Sequence, residues 1–492
     1  MTSLPIWTRH WTRQPNTDAV LMSSDELPAP TAALFPPQAT RQHIEDLLTR
    51  ELLRANDRVL HGPVMPTVDR AALREELARF DFQDPRPLEE LLAWAIAKME
   101  VGVVHMNHPR YFGLFNPAPT FPAQCADRIA GAFNPQLASS GSSPAPIEIE
   151  AHVIRTMAQR AGLPANAGGH FTVSGAEANF TALVCALTRA EPRFAADGVR
   201  AFAGPVAFYA SLASHQTWYK IAHQAGVGRS ALRLVATDGK GQLDPRALSE
   251  MIHVDRARGL VPVMVSATAG TTTAGMIDPL PACAQIARDN NLWYHVDAAW
   301  GGAALASDRL RGLLSGIEQA DSITIDAHKW FATTMGCGMF LTRHPMLLSE
   351  TFHTTTSFMP SEQTSLDPYL NSVQWSRRFM GLRLFLALGA AGWSGYAAHV
   401  ERAIAVIESI KTQLHARGWT QVNESPVAVL CVLPPAGSRP VREIVARVLA
   451  AGRAWVAPAA FEGRDVLRIC ATHGETNAQD VRILVDALDA AR

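Results

Sequence analysis

The sequence has no charge imbalance, no cysteine framework and no long uninterrupted apolar run. Its 44 Lys and Arg are balanced by 45 Asp and Glu, which gives a net charge of -1, and both kinds are dispersed along the chain. With this balance the protein has no strong positive electrostatic field that would attract nucleic acid or an anionic membrane, so we expect neither as a partner. The longest apolar stretch, around Leu382 to Trp393, contains glycines and is shorter than the ~20 residues of a membrane span.

The six cysteines are widely separated and form no CxxC pair. We therefore expect neither a disulfide framework nor a metal site. The first 20 residues contain Arg9, Arg13 and Asp18 but no continuous apolar core of signal-peptide length. Together these features predict a soluble protein of the cytoplasm.

The composition, 48% hydrophobic and 18% charged over 492 residues, is typical of a globular protein of two or three domains. Residues 1 to about 40 are rich in Pro, Thr and Ala, which favours an extended arm that lies on another subunit or is loose. Apolar residues then recur three and four positions apart, as in a helix: Ile44, Leu47, Leu48 and Leu52. We expect an N-terminal arm and helical segment over residues 1–120.

Strand-like and helical patterns alternate through the middle of the chain. Segments such as HFTVS, PVAFYAS, VPVMVSA, LWYHVDA and SITID are separated by helical patterns. This alternation predicts an α/β fold with a mostly parallel central sheet covered by helices, which we assign to residues 121–380. The strands AVLCVLP and DVLRICA then flank a helix and predict a small α+β C-terminal domain over residues 381–492.

The segment SITIDAHKW ends an apolar strand with Asp326, His328 and Lys329 at its carboxyl edge. Open α/β sheets bind their ligands at this edge. By itself Lys329 would be interpreted as an ordinary exposed lysine, because most lysines remain in water.

A second strand, LWYHVDAAWGG, brings Asp297 to the same edge. A carboxylate there can bind the protonated pyridine nitrogen of pyridoxal phosphate, and a lysine amine can form an imine with the cofactor. By itself Asp297 would be interpreted as a cap or a metal ligand. The pair Asp297 and Lys329 favours a pyridoxal-phosphate site.

The segment FTVSGAEANFTAL predicts a strand, a turn at Ser174 and Gly175, and a helix that begins near Ala176. Free amides at the start of a helix bind phosphate, and glycine allows the backbone to come close. A tight turn with no ligand is the alternative. The order of this motif before the Asp297 and Lys329 strands favours a phosphate site.

Three motifs in this order, TVSGAEAN, HVDAAWGG and DAHKW, resemble those of the group II pyridoxal-phosphate-dependent amino-acid decarboxylases of the aromatic-L-amino-acid decarboxylase type. The resemblance runs from about His108 to the C-terminus. It implies the fold type I PLP-dependent transferase fold and a homodimer with its sites at the subunit interface. It also implies an enzyme that converts an L-amino acid to its amine and CO2.

The resemblance assigns roles to further residues. His215 would stack on the cofactor ring, and Thr268 would lie beside the ring's hydroxyl edge. Without the resemblance, His215 would equally be a helix cap or surface histidine, and Thr268 would be a packing residue. The remaining implied cofactor contacts are Gly175, Ala176, Asp297, Ala299, Asp326, His328 and Lys329.

One position departs from the family's pattern. Phe358, in ETFHTTTSFMPSEQ, occupies the place where the family's mobile loop has a tyrosine that returns a proton to the substrate Cα. In similar enzymes a phenylalanine there accompanies decarboxylation with oxidative deamination, which consumes dioxygen and gives an aldehyde, ammonia and hydrogen peroxide. The alternative is that Phe358 anchors the loop while His353, Tyr369 or a water supplies the proton.

The segment NHPRYFGLFNPAP resembles the family's substrate-side wall and predicts substrate contacts from Phe115, Asn116 and Pro117. Its side chains are mixed, so the substrate is not specified. Arg110 could bind an acidic substrate, although a surface or interfacial arginine is the favoured interpretation. A transaminase and a non-catalytic cofactor-binding protein remain as alternatives, and the presence of Lys329 argues against the second.

Overall fold

The computed structural model describes residues 29–354 and 367–492. The described chain forms two compact units, and the boundary between them lies between Val104 and His105. The finer division of the chain at residues 120 and 380 remains a prediction.

The first unit consists of the helices α1 (Ala29–Leu34), α2 (Gln38–His61), α3 (Arg70–Leu77) and α4 (Leu88–Gly102). Asp69 caps α3, since its carboxylate accepts hydrogen bonds from the amides of Ala71 (2.9 Å) and Ala72 (3.1 Å). The expectation of an extended arm is wrong for Ala29–Leu34, because its Ala and Leu residues are strong helix formers. Residues 1–28 of that arm lie outside the described residues.

The second unit is built on a sheet of seven strands. These are β1 (Gly168–Thr172), β2 (Val206–Ser211), β3 (Leu232–Val235), β4 (Val261–Thr268), β5 (Trp293–Asp297), β6 (Ser322–Asp326) and β7 (Gly338–Thr342). Their order is β1-β7-β6-β5-β4-β2-β3; β7 runs antiparallel to its neighbours β1 and β6, and the other neighbouring pairs are parallel. The parallel strands β2, β5 and β6 are buried along their whole length, as expected for a sheet covered on both faces. The predicted α/β fold is confirmed.

Helices cover this sheet and extend toward the C-terminus. They are α5 (Phe121–Phe133), α6 (Pro144–Arg160), α7 (Gly175–Ala190), α8 (Phe194–Asp197), α9 (Thr217–Gln224), α10 (Pro245–Ala257), α11 (Leu280–Asp289), α12 (Pro345–Phe352), α13 (Pro368–Asn371) and α14 (Leu382–His415). Helix α14 is kinked at Gly392, whose φ of 62° and ψ of 179° are not helical. None of the helices in the described ranges is long and apolar enough to cross a bilayer.

The C-terminal part contains a smaller antiparallel sheet of β8 (Thr420–Gln421), β9 (Val429–Leu433), β10 (Ala457–Phe461) and β11 (Arg464–Cys470). The strand order is β10-β11-β9-β8, and α15 (Val441–Ala450) and α16 (Ala478–Ala491) accompany it. Asn477 and Asp480 form a capping box that starts α16. The predicted α+β character of this part is confirmed.

Candidate active site

The carboxyl ends of β4, β5 and β6 lie side by side and form the floor of a cavity. In the sheet register Thr268 pairs with Asp297, and Asp297 pairs with Thr324. A cavity of about 240 Å³ opens at this edge. Most of the predicted site residues line it, namely Phe115, Gly175, Ala176, His215, Thr268, Asp297, Ala299, Asp326, His328 and Lys329.

Lys329 lies shortly after β6 and forms an ion pair at the cavity wall. Its Nζ lies 3.0 Å from Oδ2 of Asp326, the last residue of β6, and 5.8 Å from the centre of the Phe115 ring. The Lys329 side chain is 21% exposed whereas that of Asp326 is 3% exposed. His328 is also buried, and its Nε2 lies 3.8 Å from the same carboxylate oxygen. The amine is therefore held at the cavity by a buried anion while remaining reachable from solvent.

Asp297, the last residue of β5, is held by two hydrogen-bond donors. Its Oδ1 accepts from the amide of Ala299 (3.1 Å), and its Oδ2 accepts from Nδ2 of Asn179 (2.8 Å). The residue is 5% exposed. Because the two donors fix both carboxylate oxygens, the arrangement suits a carboxylate that binds a protonated ring nitrogen.

The motif predicted to bind phosphate also lies at this cavity. Helix α7 begins at Gly175, so the first amides of the helix, including that of Ala176, have no partner within the helix. A Cβ built on Gly175 would lie 2.9 Å from Oδ2 of Asp326 and 3.4 Å from the Cβ of Ala299. The close approach of these groups excludes a side chain and keeps the amides accessible to an anion.

His215 and Thr268 both line the cavity, and each is fixed by neighbouring groups. His215 Nδ1 accepts a hydrogen bond from the Thr217 amide (3.1 Å), so in the neutral ring the proton is on Nε2. Although the side chain stays accessible to solvent, desolvation of the ring lowers the pKa of His215, and the Asp297 carboxylate opposes this shift. Thr268 is fixed by Ser214, whose hydroxyl lies 3.0 Å from its own, and by Asp278, which accepts from its amide at 2.7 Å.

Three aromatic rings stack at one side of the cavity; Phe115 and Trp300 line it, and Trp330 packs on Trp300 without lining it. Phe115 stacks on Trp300 with ring centres 4.2 Å apart, and Trp300 stacks on Trp330 at 4.8 Å. The guanidinium of Arg468 lies 4.6 Å from the Phe115 ring. The sequence contains each residue, but only the fold brings positions 115, 300, 330 and 468 together.

Other predicted residues are not brought to the cavity. Asn116 and Pro117 do not line it, and Asn116 Nδ2 instead lies 3.2 Å from the sulfur of Met335. Their contact with substrate remains a prediction. Arg110 is not among the lining residues either, since its guanidinium lies 3.1 Å from His108. Phe358 lies outside the described residues.

The chain matches a family of known function over most of its length. The model of the pyridoxal-dependent decarboxylase conserved domain matches residues 74–432, which is more than half of the chain. The chain belongs to the pyridoxal-dependent decarboxylase family. Its cofactor is pyridoxal phosphate, and it is a decarboxylating enzyme.

Individual relatives agree with this assignment. The chain is 27% identical to tryptophan decarboxylase 2 of Oryza sativa over 82% of its own length and 85% of the relative. It is 26% identical to an aromatic-L-amino-acid decarboxylase of Bacillus atrophaeus over 85% of its own length and 88% of the relative.

Solved structures show the same fold. Mouse CSAD superposes with a TM-score of 0.87 at 25% identity and covers 93% of this chain and 99% of its own. Oryza sativa TDC, in a structure with PLP and tryptamine, gives a TM-score of 0.86 at 27% identity over 92% and 98%. The 4-hydroxyphenylacetaldehyde synthase of Rhodiola rosea gives 0.84 at 23% identity over 93% and 98%, which shows a common fold alone.

The cavity fits the cofactor that the family uses. The Lys329 amine, the Asp297 carboxylate and the α7 amides all face one space. Asp326 also lines this space, and its Oδ1 is buried without a hydrogen-bond partner within the described residues. An amine, an anion and a phosphate cradle are the groups that pyridoxal phosphate requires.

Proposed function

We propose that this decarboxylase converts an L-amino acid to its amine and CO2, with Lys329 as the covalent anchor of the cofactor and Asp297 as the partner of its ring nitrogen. The observation that carries the proposal is the convergence of Lys329, Asp297 and the Gly175 turn on one cavity. No single one of these groups would specify the reaction.

The protein groups hold the reacting atoms in position and supply charge and hydrogen bonds beside them. Bound pyridoxal phosphate supplies an electron sink for the carbanion left at the substrate Cα when CO2 departs. Two donors hold the Asp297 carboxylate where it would bind the ring nitrogen, and the α7 amides would hold the phosphate of the cofactor. The Thr217 contact involves Nδ1 of His215, so in the neutral ring the Nε2–H group can donate a hydrogen bond toward the cavity. Orientation of the scissile bond is the main contribution of such a site.

A second outcome of the same chemistry is favoured by one residue, Phe358. A phenyl ring cannot return a proton to the substrate Cα, so the carbanion would persist long enough to meet dioxygen. The balanced alternative converts one amino acid, one O2 and one water to one aldehyde, CO2, ammonia and hydrogen peroxide. The substrate loses two electrons in this reaction, and O2 accepts both of them to become peroxide.

The two outcomes are separated by measuring all products together. The purified enzyme, loaded with pyridoxal phosphate, is incubated in air with individual L-amino acids, and CO2, amine, aldehyde and hydrogen peroxide are quantified. CO2 with an equal amount of amine and no peroxide supports the simple decarboxylase. Lys329→Ala should abolish both the absorbance of the lysine-bound cofactor and every product.

Phe358→Tyr tests the role of the loop residue. If Phe358 directs the chemistry toward the aldehyde, restoring the hydroxyl should shift the products from aldehyde and peroxide to amine, by about tenfold or more, as general acids contribute at least that much. An unchanged ratio of amine to peroxide would show that another group controls protonation.

The choice of substrates to test first follows from the relatives and from the cavity wall. The relatives described above act on tryptophan or on aromatic L-amino acids, as their names state. The stack of Phe115 on Trp300 offers an aromatic surface beside Lys329. We therefore propose aromatic L-amino acids as the first substrates, with acidic L-amino acids as the contrasting set.

We also propose that the enzyme is a homodimer with its sites at the subunit interface. Helix α4 has the apolar sequence LEELLAWAIAKMEVG, yet none of its residues is buried, and Met99 is 59% exposed. On α5, Phe121 and Phe133 are 74% and 82% exposed. Apolar helix faces of this kind are typical of subunit contacts. Sedimentation equilibrium should give twice the chain mass of 53.3 kDa, whereas a monomer would contradict the proposal.

A further inference from the structure

A chain of buried hydrogen bonds leads from Asp297 to Asn179, which also lines the cavity, and from there to residues that do not line it. Nδ2 of Asn179 lies 2.8 Å from Oδ2 of Asp297, and Oδ1 of Asn179 lies 2.9 Å from Nε2 of His295. Nδ1 of His295 lies 2.8 Å from the hydroxyl of Ser322, and this hydroxyl accepts from Nε1 of Trp293 at 2.8 Å. Each of these residues is at most 5% exposed.

The donors in this chain all point toward Asp297. Oδ1 of Asn179 can only accept, so Nε2 of His295 carries the proton of the neutral imidazole and donates it to this oxygen. Nδ1 of His295 then accepts from the Ser322 hydroxyl, and the Ser322 oxygen accepts from the indole of Trp293. The chain therefore ends in the Asn179 amide donating to the carboxylate.

The orientation of the Asn179 amide is fixed from two sides. Its Oδ1 accepts from the hydroxyl of Thr324 (2.7 Å) as well as from His295. A flipped amide would place its NH2 group against two donors and its oxygen against the Asp297 carboxylate. Burial lowers the pKa of His295 to about 4, so this ring is neutral near pH 7 and keeps the donor pattern described above.

We propose that Asn179 is a positioning residue for the cofactor, because its fixed amide donates to the Asp297 carboxylate and holds it where it would bind the pyridine nitrogen. The inference rests on the proposed role of Asp297. Asn179 does not need to touch the ring nitrogen, since it acts through Oδ2 of Asp297. Donors aligned in one direction strengthen one another, and a hydrogen bond to a charged acceptor is stronger than one between neutral groups.

The test is the protonation of the ring nitrogen, read by 15N NMR of the holoenzyme loaded with ring-15N pyridoxal phosphate. Leucine matches asparagine in shape, so Asn179→Leu removes the donor and keeps the volume. We expect the 15N resonance to move toward that of the unprotonated ring. The dissociation constant of the cofactor should rise by about tenfold to a hundredfold, as for loss of a hydrogen bond to a charged group.

Asn423→Leu provides the matched control. Asn423 is 1% exposed, and its Nδ2 donates to the carbonyls of Ala274 (2.7 Å) and Val429 (3.0 Å). It lies outside the residues that line the cofactor cavity. This variant should lose stability without moving the 15N resonance, which separates a positioning role from the general cost of removing a buried asparagine.

Asn179→Asp serves if the leucine variant does not fold. The introduced carboxyl group keeps both acceptor contacts, and it can donate to Asp297 only while it carries a proton. The cofactor affinity of this variant should therefore fall more steeply than that of the wild type as pH rises from about 6 to about 9. If the 15N shift of the wild-type holoenzyme is that of an unprotonated ring, the role of Asp297 itself is overturned. If the wild-type ring is protonated, and the folded Asn179 variants keep the same 15N shift and the same cofactor affinity, only the inference about Asn179 is overturned.

Discussion

Replacing His170 by phenylalanine should make the enzyme more resistant to acid. His170 lies on β1, is 6% exposed, and its ring lies 5.6 Å from that of Phe340. Neither ring nitrogen has a hydrogen-bond partner in the described part of the chain. Burial, together with the charge of Arg377, lowers the pKa of His170 to about 3. The native protein therefore excludes a proton that the unfolded chain binds.

The size of the effect follows from this shift. The unfolded chain binds the proton below its pKa of about 6.5, so the native state loses stability as pH falls from there toward about 3, and it loses nothing more below. Between pH 7.5 and pH 5.0 the loss is about 2 kcal/mol, since each unit below 6.5 contributes about 1.4 kcal/mol. Stability is fully retained above about pH 7.

The assay is urea unfolding of the holoenzyme with saturating pyridoxal phosphate at pH 7.5 and pH 5.0. His170→Phe should reduce the difference between the two free energies of unfolding by about 2 kcal/mol. A change in packing affects the free energy of unfolding equally at both pH values and so cancels in this difference. A neighbouring cavity of about 240 Å³ gives room for the larger ring. His223→Phe, at an exposed position, should leave the difference unchanged. If both variants kept the wild-type difference, the reasoning would be refuted.

Two further substitutions test the site and the core. Gly175→Ala places a methyl group 2.9 Å from Oδ2 of Asp326, so we expect about tenfold weaker cofactor binding, measured by titration of the cofactor absorbance. Glu150→Gln leaves the Arg377 guanidinium, 5% exposed, without its carboxylate partner. Urea unfolding should show a loss of about 3 kcal/mol, and a loss below about 1 kcal/mol would contradict a buried ion pair.

Much of the fold could be predicted because local patterns decide it. The strands at Val206–Ser211, Val261–Thr268 and Ser322–Asp326 are apolar runs bounded by turns, and a buried parallel sheet requires such runs. Local patterns did not predict β7, a short apolar segment whose pairing with β1 and β6 is not encoded locally.

The sequence by itself determined which chemical groups stand at the strand ends. Lys329, Asp297 and Gly175 each lie at or shortly after the end of an apolar strand, and parallel strands in one sheet place their carboxyl ends together. This rule depends only on order along the chain and on strand direction. The prediction of the site therefore required no information about individual side-chain contacts.

Only the tertiary structure decided what surrounds those groups. Asn179 reaches Asp297 from a helix 118 positions earlier in the chain, and Phe115 stacks on Trp300, which lies far from it in the sequence. Such contacts depend on how helices pack over the sheet, and periodicity or propensity carries no record of them. The burial of side chains also depends on how the elements pack. The pKa of His170 is lowered because the surrounding elements remove its ring from water.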